Sequence, residues 1–209
     1  MQTETILLQE GEVLCQAGDV IKYILLPLNC IISLWTPIKA SMFVEVGLIG
    51  NEGSLGLTTL LDVALAPVEA RVQYAGLAIS IPVTAFLETV NLNPELSLRF
   101  NHYLYVRHTQ LLRTATCNCF HLLEQRLARL LLMIGARLHS DDFYIRHSQL
   151  SEMLGVRRSG VTKAAGELDS KKLIQYTRGN LSIINSLGLE SAACTCYKLD
   201  NQIYSSQMN

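Results

Sequence analysis

A glycine between two short helical patterns is the feature that most restricts how this chain can fold. In the stretch LSEMLGVRRSGVTKAAGELDSKKLI, which covers residues 150–174, Gly155 separates one apolar-periodic segment from a second that follows Arg157. Glycine tolerates the positive φ of a tight turn, so the two predicted helices can cross at a sharp angle. Apolar residues at helical spacing can pack the two helices together: Leu150, Leu154, Val156, Val161 and Leu168.

The segments on either side of this pair complete an ordered set of elements. DDFYI precedes it as a short strand, and SQLSEML forms the first helix, with Ser148 predicted as its N-cap. LIQYTRGNLSII follows as a hairpin that turns at Arg178-Gly179-Asn180. Strand, helix, glycine turn, helix and two-stranded wing is the order of a winged helix-turn-helix. We therefore predict that the second helix enters the major groove of DNA.

The residue types at the start of the second helix support this prediction. An arginine at this position can donate two hydrogen bonds to a guanine base. Arg178, at the tip of the wing, is predicted to contact phosphate. The predicted contacts at the start of the second helix are Arg157, Arg158, Ser159, Thr162 and Lys163.

Charge is unevenly distributed along the chain. The formal net charge is −1, which by itself argues neither for nor against nucleic acid. Residues 1–119 carry 6 basic and 10 acidic side chains, whereas residues 120–185 carry 10 basic and 6 acidic ones. The basic part contains the predicted helix-turn-helix. This division indicates two domains with different partners.

The first 85 residues have the pattern of an antiparallel β-structure. Short apolar or alternating runs recur about every 8–12 residues, which predicts a barrel or sandwich. The runs are GEVLCQAGD, YILLPLNCIISLW, SMFVEVGLIGNEG and EARVQYAGLAISIP.

Helices are predicted from Pro82 onward. TAFLETV is a short one, and Pro94 opens a long one. We expect TCNC, residues 116–119, to end the long helix and act as a hinge, and FHLLEQRLARLLLMIGARL to form the next helix. The last dozen residues are expected to be a frayed polar tail.

The long helix has apolar residues on two faces, so it needs two partners. One face, made of Leu96, Phe100 and Tyr103, is predicted to cover the β-domain. The other is predicted to meet a second copy of the chain through a heptad-like seam. The predicted seam residues are Leu104, His108, Leu111 and Ala115.

These elements and motifs together resemble the Crp/Fnr superfamily of bacterial transcription regulators. EQRLARLLL, LSEMLGVRRSGVTKAAGEL and LIQYTRGNLSI are similar to the C-terminal domain of that family, and GEVLCQAGD to its first β-roll strands. The resemblance implies an α+β fold: a jelly-roll-like β-roll sensor over residues 1–92, a dimerisation helix over 93–118 and a winged helix-turn-helix over 119–209.

The resemblance also implies the partners of the protein. They would be palindromic double-stranded DNA, a second copy of the chain and, as a further partner, RNA polymerase. The family's recognition residues correspond to Arg158, Ser159 and Lys163, and its phosphate-contacting residues to His147 and Ser148.

The chain departs from the family in its nucleotide cassette. Glu52-Gly53-Ser54-Leu55 lacks the ribose-binding glutamate after the glycine. Val68-Glu69 takes the place of the family's Arg-Ser pair, so a phosphate would meet a carboxylate, and Arg71 is displaced by three residues. We predict no cofactor and no useful affinity for cyclic AMP. A pocket lined by Leu55, Leu57, Leu60 and Leu61 would be collapsed or suited to another ligand.

Other sensing chemistries remain as alternatives. Iron–sulfur members of the family use N-terminal cysteines, but only Cys15 and Cys30 precede residue 100 here. Haem, redox and small apolar ligands stay open, and so does a ligand-binding module that regulates a protein partner. We find no catalytic motif that indicates an enzyme.

Two C-x-C pairs, Cys117/Cys119 and Cys194/Cys196, are a weak metal signal, because structural zinc usually has two to four residues between paired cysteines. We therefore predict no metal site and interpret these cysteines as small packing residues, with a redox or metal role left open. An apolar run of about 20 residues and a secretory signal are both lacking, so we expect a cytoplasmic protein without a membrane partner.

Overall fold

The computed structural model describes residues 3–39 and 42–208. Its N-terminal part is a β-roll of two facing antiparallel sheets. The first sheet has the order β1-β7-β3, with β1 at Glu4–Leu8, β3 at Tyr23–Pro27 and β7 at Gly76–Pro82. The second has the order β2-β6-β4-β5, with β2 at Val13–Cys15, β4 at Ile31–Lys39, β5 at Met42–Ile49 and β6 at Glu69–Tyr74.

The two sheets enclose a core that the alternating pattern predicted. Side chains from both sheets are buried in it, with Cys30 from the residue before β4: Leu8, Ile32, Ile49, Ala70, Val72 and Ala78. A short 3-10 helix at Leu57–Leu61 lies between β5 and β6 of the second sheet. The predicted antiparallel β-roll is therefore confirmed.

Three helices follow the roll: α1 at Val83–Leu92, α2 at Pro94–Phe120 and α3 at Leu123–Leu138. The Asn93 side chain caps α2 by accepting a hydrogen bond from the backbone N–H of Leu96, with Pro94 in the first turn as predicted. Leu96, Phe100 and Tyr103 pack against the roll, also as predicted.

The predicted break at residues 116–119 is wrong. Helix α2 continues through this stretch to Phe120, and the chain leaves the helix at His121-Leu122. Cys117 remains in the helix because it is buried against Cys194 and Cys196, contacts that a linear pattern does not reveal. The predicted domain boundary at 118/119 accordingly falls inside α2.

The C-terminal part has the predicted winged helix-turn-helix order. Strand β8 spans Asp142–Tyr144, α4 His147–Leu154, α5 Arg158–Ser170, β9 Ile174–Thr177 and β10 Asn180–Ile183. The three strands form one sheet in the order β8-β10-β9. Helices α6, Ser186–Ala192, and α7, Cys196–Met208, end the described chain.

Two local predictions in this part need correction. Ser148 is not the N-cap of α4: the helix begins at His147, and the Gln149 side chain accepts a hydrogen bond from the Arg146 N–H. The polar tail is not frayed either, because helix α7 packs along α2. Its buried Asp200 pairs with Arg113 of α2 and Arg129 of α3, which stabilises a segment of polar composition.

The β-roll and the C-terminal part share one hydrophobic cluster. Trp35 and Leu48 of the roll are buried in the same cluster as Leu131 and Ile134 of α3. An ion pair of 2.7 Å between Arg137 and Glu52 adds a polar link across the same junction. None of the helices that the structure describes is long and apolar enough to cross a membrane.

Candidate nucleic-acid interface

The turn between α4 and α5 has the geometry that the sequence predicted. Gly155 has a φ of 64° and ends α4 in the left-handed region, where a side chain would be strained. Leu150, Val161 and Leu168 are fully buried between the two helices and the rest of the domain. This packing fixes α5 at the surface with one long face free.

The free face of α5 contains the predicted base-reading side chains. Those of Arg157, Arg158, Ser159, Thr162 and Lys163 are all exposed. They surround the N-terminus of the helix, where free backbone N–H groups and the helix dipole add positive potential. The structure therefore brings these five residues together on one surface.

His147 holds the two helices together. Its ring stacks on Tyr176 of β9 at 4.4 Å between centroids, and its Nδ1 lies 3.1 Å from the Thr162 hydroxyl. Burial, with the Arg158 charge as a smaller cause, lowers the pKa of His147. The Nε2 atom is buried without a partner among the described residues. In this arrangement His147 positions α5 and offers no free N–H to phosphate.

The wing presents a second exposed basic side chain, that of Arg178. Arg178 is exposed at the turn between β9 and β10, with a φ of 53°, and Gly179 follows with a φ of 95°. A Cβ on Gly179 would lie 2.5 Å from the Tyr144 ring, so this glycine is required by close packing as well as by its φ. Ser148 is exposed in the first turn of α4, on the segment predicted to contact phosphate.

Sequence reasoning missed Arg146. This exposed side chain precedes α4, donates from Nε to the Tyr144 hydroxyl at 3.0 Å, and lies over the Tyr144 ring. A basic residue immediately before the first helix of a helix-turn-helix was the available signal. Across the ranges 3–39 and 42–208, no ion pair neutralises the basic side chains of this surface: Arg146, Arg157, Arg158, Lys163 and Arg178.

The outer face of α2 is apolar and exposed. His108, Leu111 and Ala115 of the predicted seam lie on it. Leu104 does not, because it packs against the roll and lines its cavity. Other apolar side chains on this helix are more exposed than Leu111, at 48%: Leu98 at 55%, Tyr105 at 52% and Leu112 at 58%.

A cavity of about 970 Å³ lies between the β-roll and α2. Apolar residues such as Leu25, Leu34 and Ile49 line much of it. Polar and charged residues line the rest: Glu4, Glu12, Asp19, Lys22, Ser54, Tyr103 and Arg107 are among them. Leu55 and Leu57 line it as predicted, whereas Leu60 packs against neighbouring apolar residues and Leu61 is 61% exposed. The cavity is open, so of the two predicted alternatives the collapsed pocket is wrong.

The displaced cassette residues lie outside this cavity. Arg71 forms an ion pair with Glu69 and stacks its guanidinium on the Phe43 ring at 4.5 Å. Val68 lines the cavity, but neither Glu69 nor Arg71 does. The prediction that a Glu69 carboxylate faces a bound phosphate is therefore wrong, since that carboxylate is paired elsewhere.

The arrangement of α4, α5 and the wing defines a DNA-binding domain of the winged helix-turn-helix class. Residues 125–192 match the family model of the Crp-like helix-turn-helix domain. A comparison with curated proteins found no match.

Solved structures extend the likeness to nearly the whole chain. FixK2 from Bradyrhizobium japonicum is 11% identical, with 93% of this chain and 98% of that chain covered and a TM-score of 0.74. TTHB099, a CRP family transcriptional regulator from Thermus thermophilus, is 13% identical, with coverages of 90% and 96% and a TM-score of 0.74. CLP, the c-di-GMP responsive global regulator of Xanthomonas campestris, is 12% identical, with coverages of 87% and 93% and a TM-score of 0.70. The chain thus has the fold of the Crp/Fnr-type regulators, with its Crp-like DNA-binding domain at residues 125–192.

Proposed function

We propose that this protein is a homodimeric, cytoplasmic transcription regulator that reads a palindromic DNA site with helix α5. The observation that carries the proposal is the unpaired basic face at the start of α5, with Arg157, Arg158 and Lys163 exposed beside the wing residue Arg178. Guanidinium groups at this position can read guanine, and the other basic groups can contact phosphates.

The dimer forms along α2. Leu98, Tyr105 and Leu112 follow each other at seven-residue intervals. His108 and Ala115 lie three residues after Tyr105 and Leu112, as in a two-helix seam. The seam is shifted by one residue from the one predicted, because Leu104 is used to cover the roll. A two-fold axis along α2 places two copies of α5 on one side of the dimer, about 34–36 Å apart when they fit successive major grooves.

The cavity of the β-roll is the effector site in this proposal. Its lining is largely apolar, and it borders Tyr103, Leu104 and Arg107 of the dimerisation helix. An effector that prefers one position of α2 would therefore change the spacing of the two α5 helices. The effector would be a small, mainly apolar molecule.

Cyclic AMP is a poor candidate for this cavity. No guanidinium from β6 reaches it, since Arg71 is paired with Glu69. The guanidinium of Arg107 already donates to the Leu48 carbonyl at 2.9 Å and to Gln110. In calorimetry we expect no binding of cyclic AMP. c-di-GMP and apolar candidate effectors are tested at the same concentrations. A micromolar affinity for cyclic AMP would contradict this part of the proposal.

Selection from randomised duplex DNA tests the main proposal. We expect the full-length protein to enrich a two-fold symmetric sequence whose half-sites lie about one helical turn, 10–10.5 base pairs, apart. The selection is run with the protein alone and again with small molecules extracted from cells, in case an effector is required. Failure to enrich any sequence under both conditions would contradict sequence-specific recognition. Enrichment of a single asymmetric half-site would contradict the dimer.

A further inference from the structure

Three buried cysteines and one histidine meet where the DNA-binding domain joins the dimerisation helix. Cys117 lies in the last turn of α2, and His121 is the residue at which that helix ends. Cys196 is the first residue of α7, and Cys194 lies two residues before it. We name these four residues the hinge cluster. Their ligand atoms all lie within 4.8 Å of one another.

The sequence contains only a weak signal for this cluster, because the spacing within each C-x-C pair is unlike that of structural zinc. The fold takes one cysteine from the first pair and both from the second. Cys119, the other member of the first pair, is exposed and takes no part. His121 completes the set and is half-buried.

Two of the distances between ligand atoms match those around one tetrahedral metal ion. The Sγ atoms of Cys117 and Cys194 are 3.5 Å apart, and the Sγ of Cys196 lies 3.5 Å from Nδ1 of His121. Around a tetrahedral zinc ion, with Zn–S of about 2.3 Å and Zn–N of about 2.0 Å, neighbouring ligand atoms are about 3.5–3.8 Å apart. A cluster of several iron atoms would hold its ligands farther apart than this.

The surroundings match the charge of such a site. Three thiolates around a divalent ion carry a net charge of −1. Arg126 and Arg129 of α3 lie close enough to interact electrostatically with Cys117 and Cys194. Arg129 is already paired with Asp200, but Arg126 forms no ion pair among the described residues and its Nε is buried without a partner, so a nearby negative charge stabilises its guanidinium.

We propose that Cys117, His121, Cys194 and Cys196 bind one zinc ion as a structural Cys₃His site. All four tetrahedral positions are then filled by protein, which is the form of a structural and not a catalytic zinc site. The ion links the end of α2 to the start of α7, although no disulfide joins these two segments.

The position of the site gives it a second role, which rests on the proposed function. The chain between α2 and α3 sets the orientation of each α5 helix relative to the dimer axis. A metal that ties His121 to α7 restrains this connection. Loss of the metal would then remove this restraint on the orientation of the DNA-binding domain.

Metal analysis of the full-length protein, purified under reducing conditions without chelators or metal-affinity steps, tests the proposal. We expect about one zinc per chain. Cobalt substituted for zinc should give the visible absorption of a tetrahedral ion and a thiolate charge-transfer band. Absence of tight zinc and cobalt binding, or iron with acid-labile sulfide, would overturn it, and so would a native disulfide between Cys117 and Cys194.

Matched cysteine variants locate the metal. Cys196→Ser and His121→Ala should each weaken zinc binding by at least about tenfold. Cys119→Ser, two residues from a ligand but exposed, should retain a full equivalent. Equal loss in all three variants would contradict the assignment of ligands. Zinc content is measured without DNA, so the two proposals are tested separately. A protein without zinc would contradict only the metal site, and a protein that fails to bind DNA would contradict only the proposed function.

Discussion

Asp200 and Arg129 form a buried ion pair, with 2.7 Å between Oδ2 and Nη2. The other carboxylate oxygen of Asp200 accepts from Arg113 at 2.9 Å. One side chain of α7 therefore joins α2 to α3. The angle between these two helices sets the orientation of the DNA-binding domain relative to α2. Asp200 is 5% exposed and Arg129 8%, so neither charge can be solvated by water if its partner is removed.

Removal of this carboxylate should destabilise the fold strongly. Asp200→Ala leaves the Arg129 charge buried and unpaired, which costs about 3–5 kcal/mol of unfolding free energy. Urea denaturation at a fixed protein concentration measures it. The control is Glu190→Ala, an exposed acid of α6 that should change stability by less than about 0.5 kcal/mol. A similar small change for Asp200→Ala would show that α7 is not held in this way.

Gly53 is required for the close approach of Tyr103. A Cβ at this position would lie 1.8 Å from the tyrosine hydroxyl, which is buried. Gly53→Ala must displace Tyr103, which packs α2 on the roll, so we expect a loss of about 1–3 kcal/mol in thermal or urea unfolding.

The matched control is a second glycine without neighbours. Gly166 is exposed on α5, and a Cβ there meets no atom within 4 Å. Gly166→Ala should stabilise the protein by about 0.5–1 kcal/mol through helix propensity. If Gly53→Ala stabilised the protein as Gly166→Ala does, Tyr103 would not pack against Gly53 in the way described.

The dimer seam can be tested with charges. Tyr105→Glu combined with Leu112→Glu would bury like charges across the two-fold axis, so sedimentation should show monomers that remain folded. Leu61→Glu introduces one such charge at another exposed apolar site and should stay dimeric. A dimeric double variant would place the interface away from this face of α2.

Local patterns in the sequence predicted the parts of the fold that depend on neighbours along the chain. Gly155, the wing turn at Arg178-Gly179 and the alternating strands each have a local conformational cause, and each was confirmed. The exposed face of α5 followed from the same helical spacing. Burial of Leu104 could not be predicted from local spacing. The helix has two apolar stripes, and their spacing does not determine which stripe packs against the roll.

Long-range partners explain the remaining differences. The end of the chain looked like a polar tail because the residues that bury Asp200 lie 71 and 87 positions earlier. Helix α2 passed its predicted end because Cys117 packs against residues near position 195. The hinge cluster was hidden for the same reason, since its members come from two segments of the chain, 117–121 and 194–196.

Recognition of DNA by α5 can be measured by comparing how two variants that lose the same charge bind the selected DNA site. Arg158 lies at the start of α5, whereas Lys198 is exposed on α7, far along the chain. Arg158→Ala should weaken specific binding by about 1–3 kcal/mol, roughly 5- to 150-fold, and relax the preference at one base pair in each half-site. Lys198→Ala should leave affinity and preference unchanged. Unaltered site preference in Arg158→Ala, or an equal loss in both variants, would contradict recognition by α5.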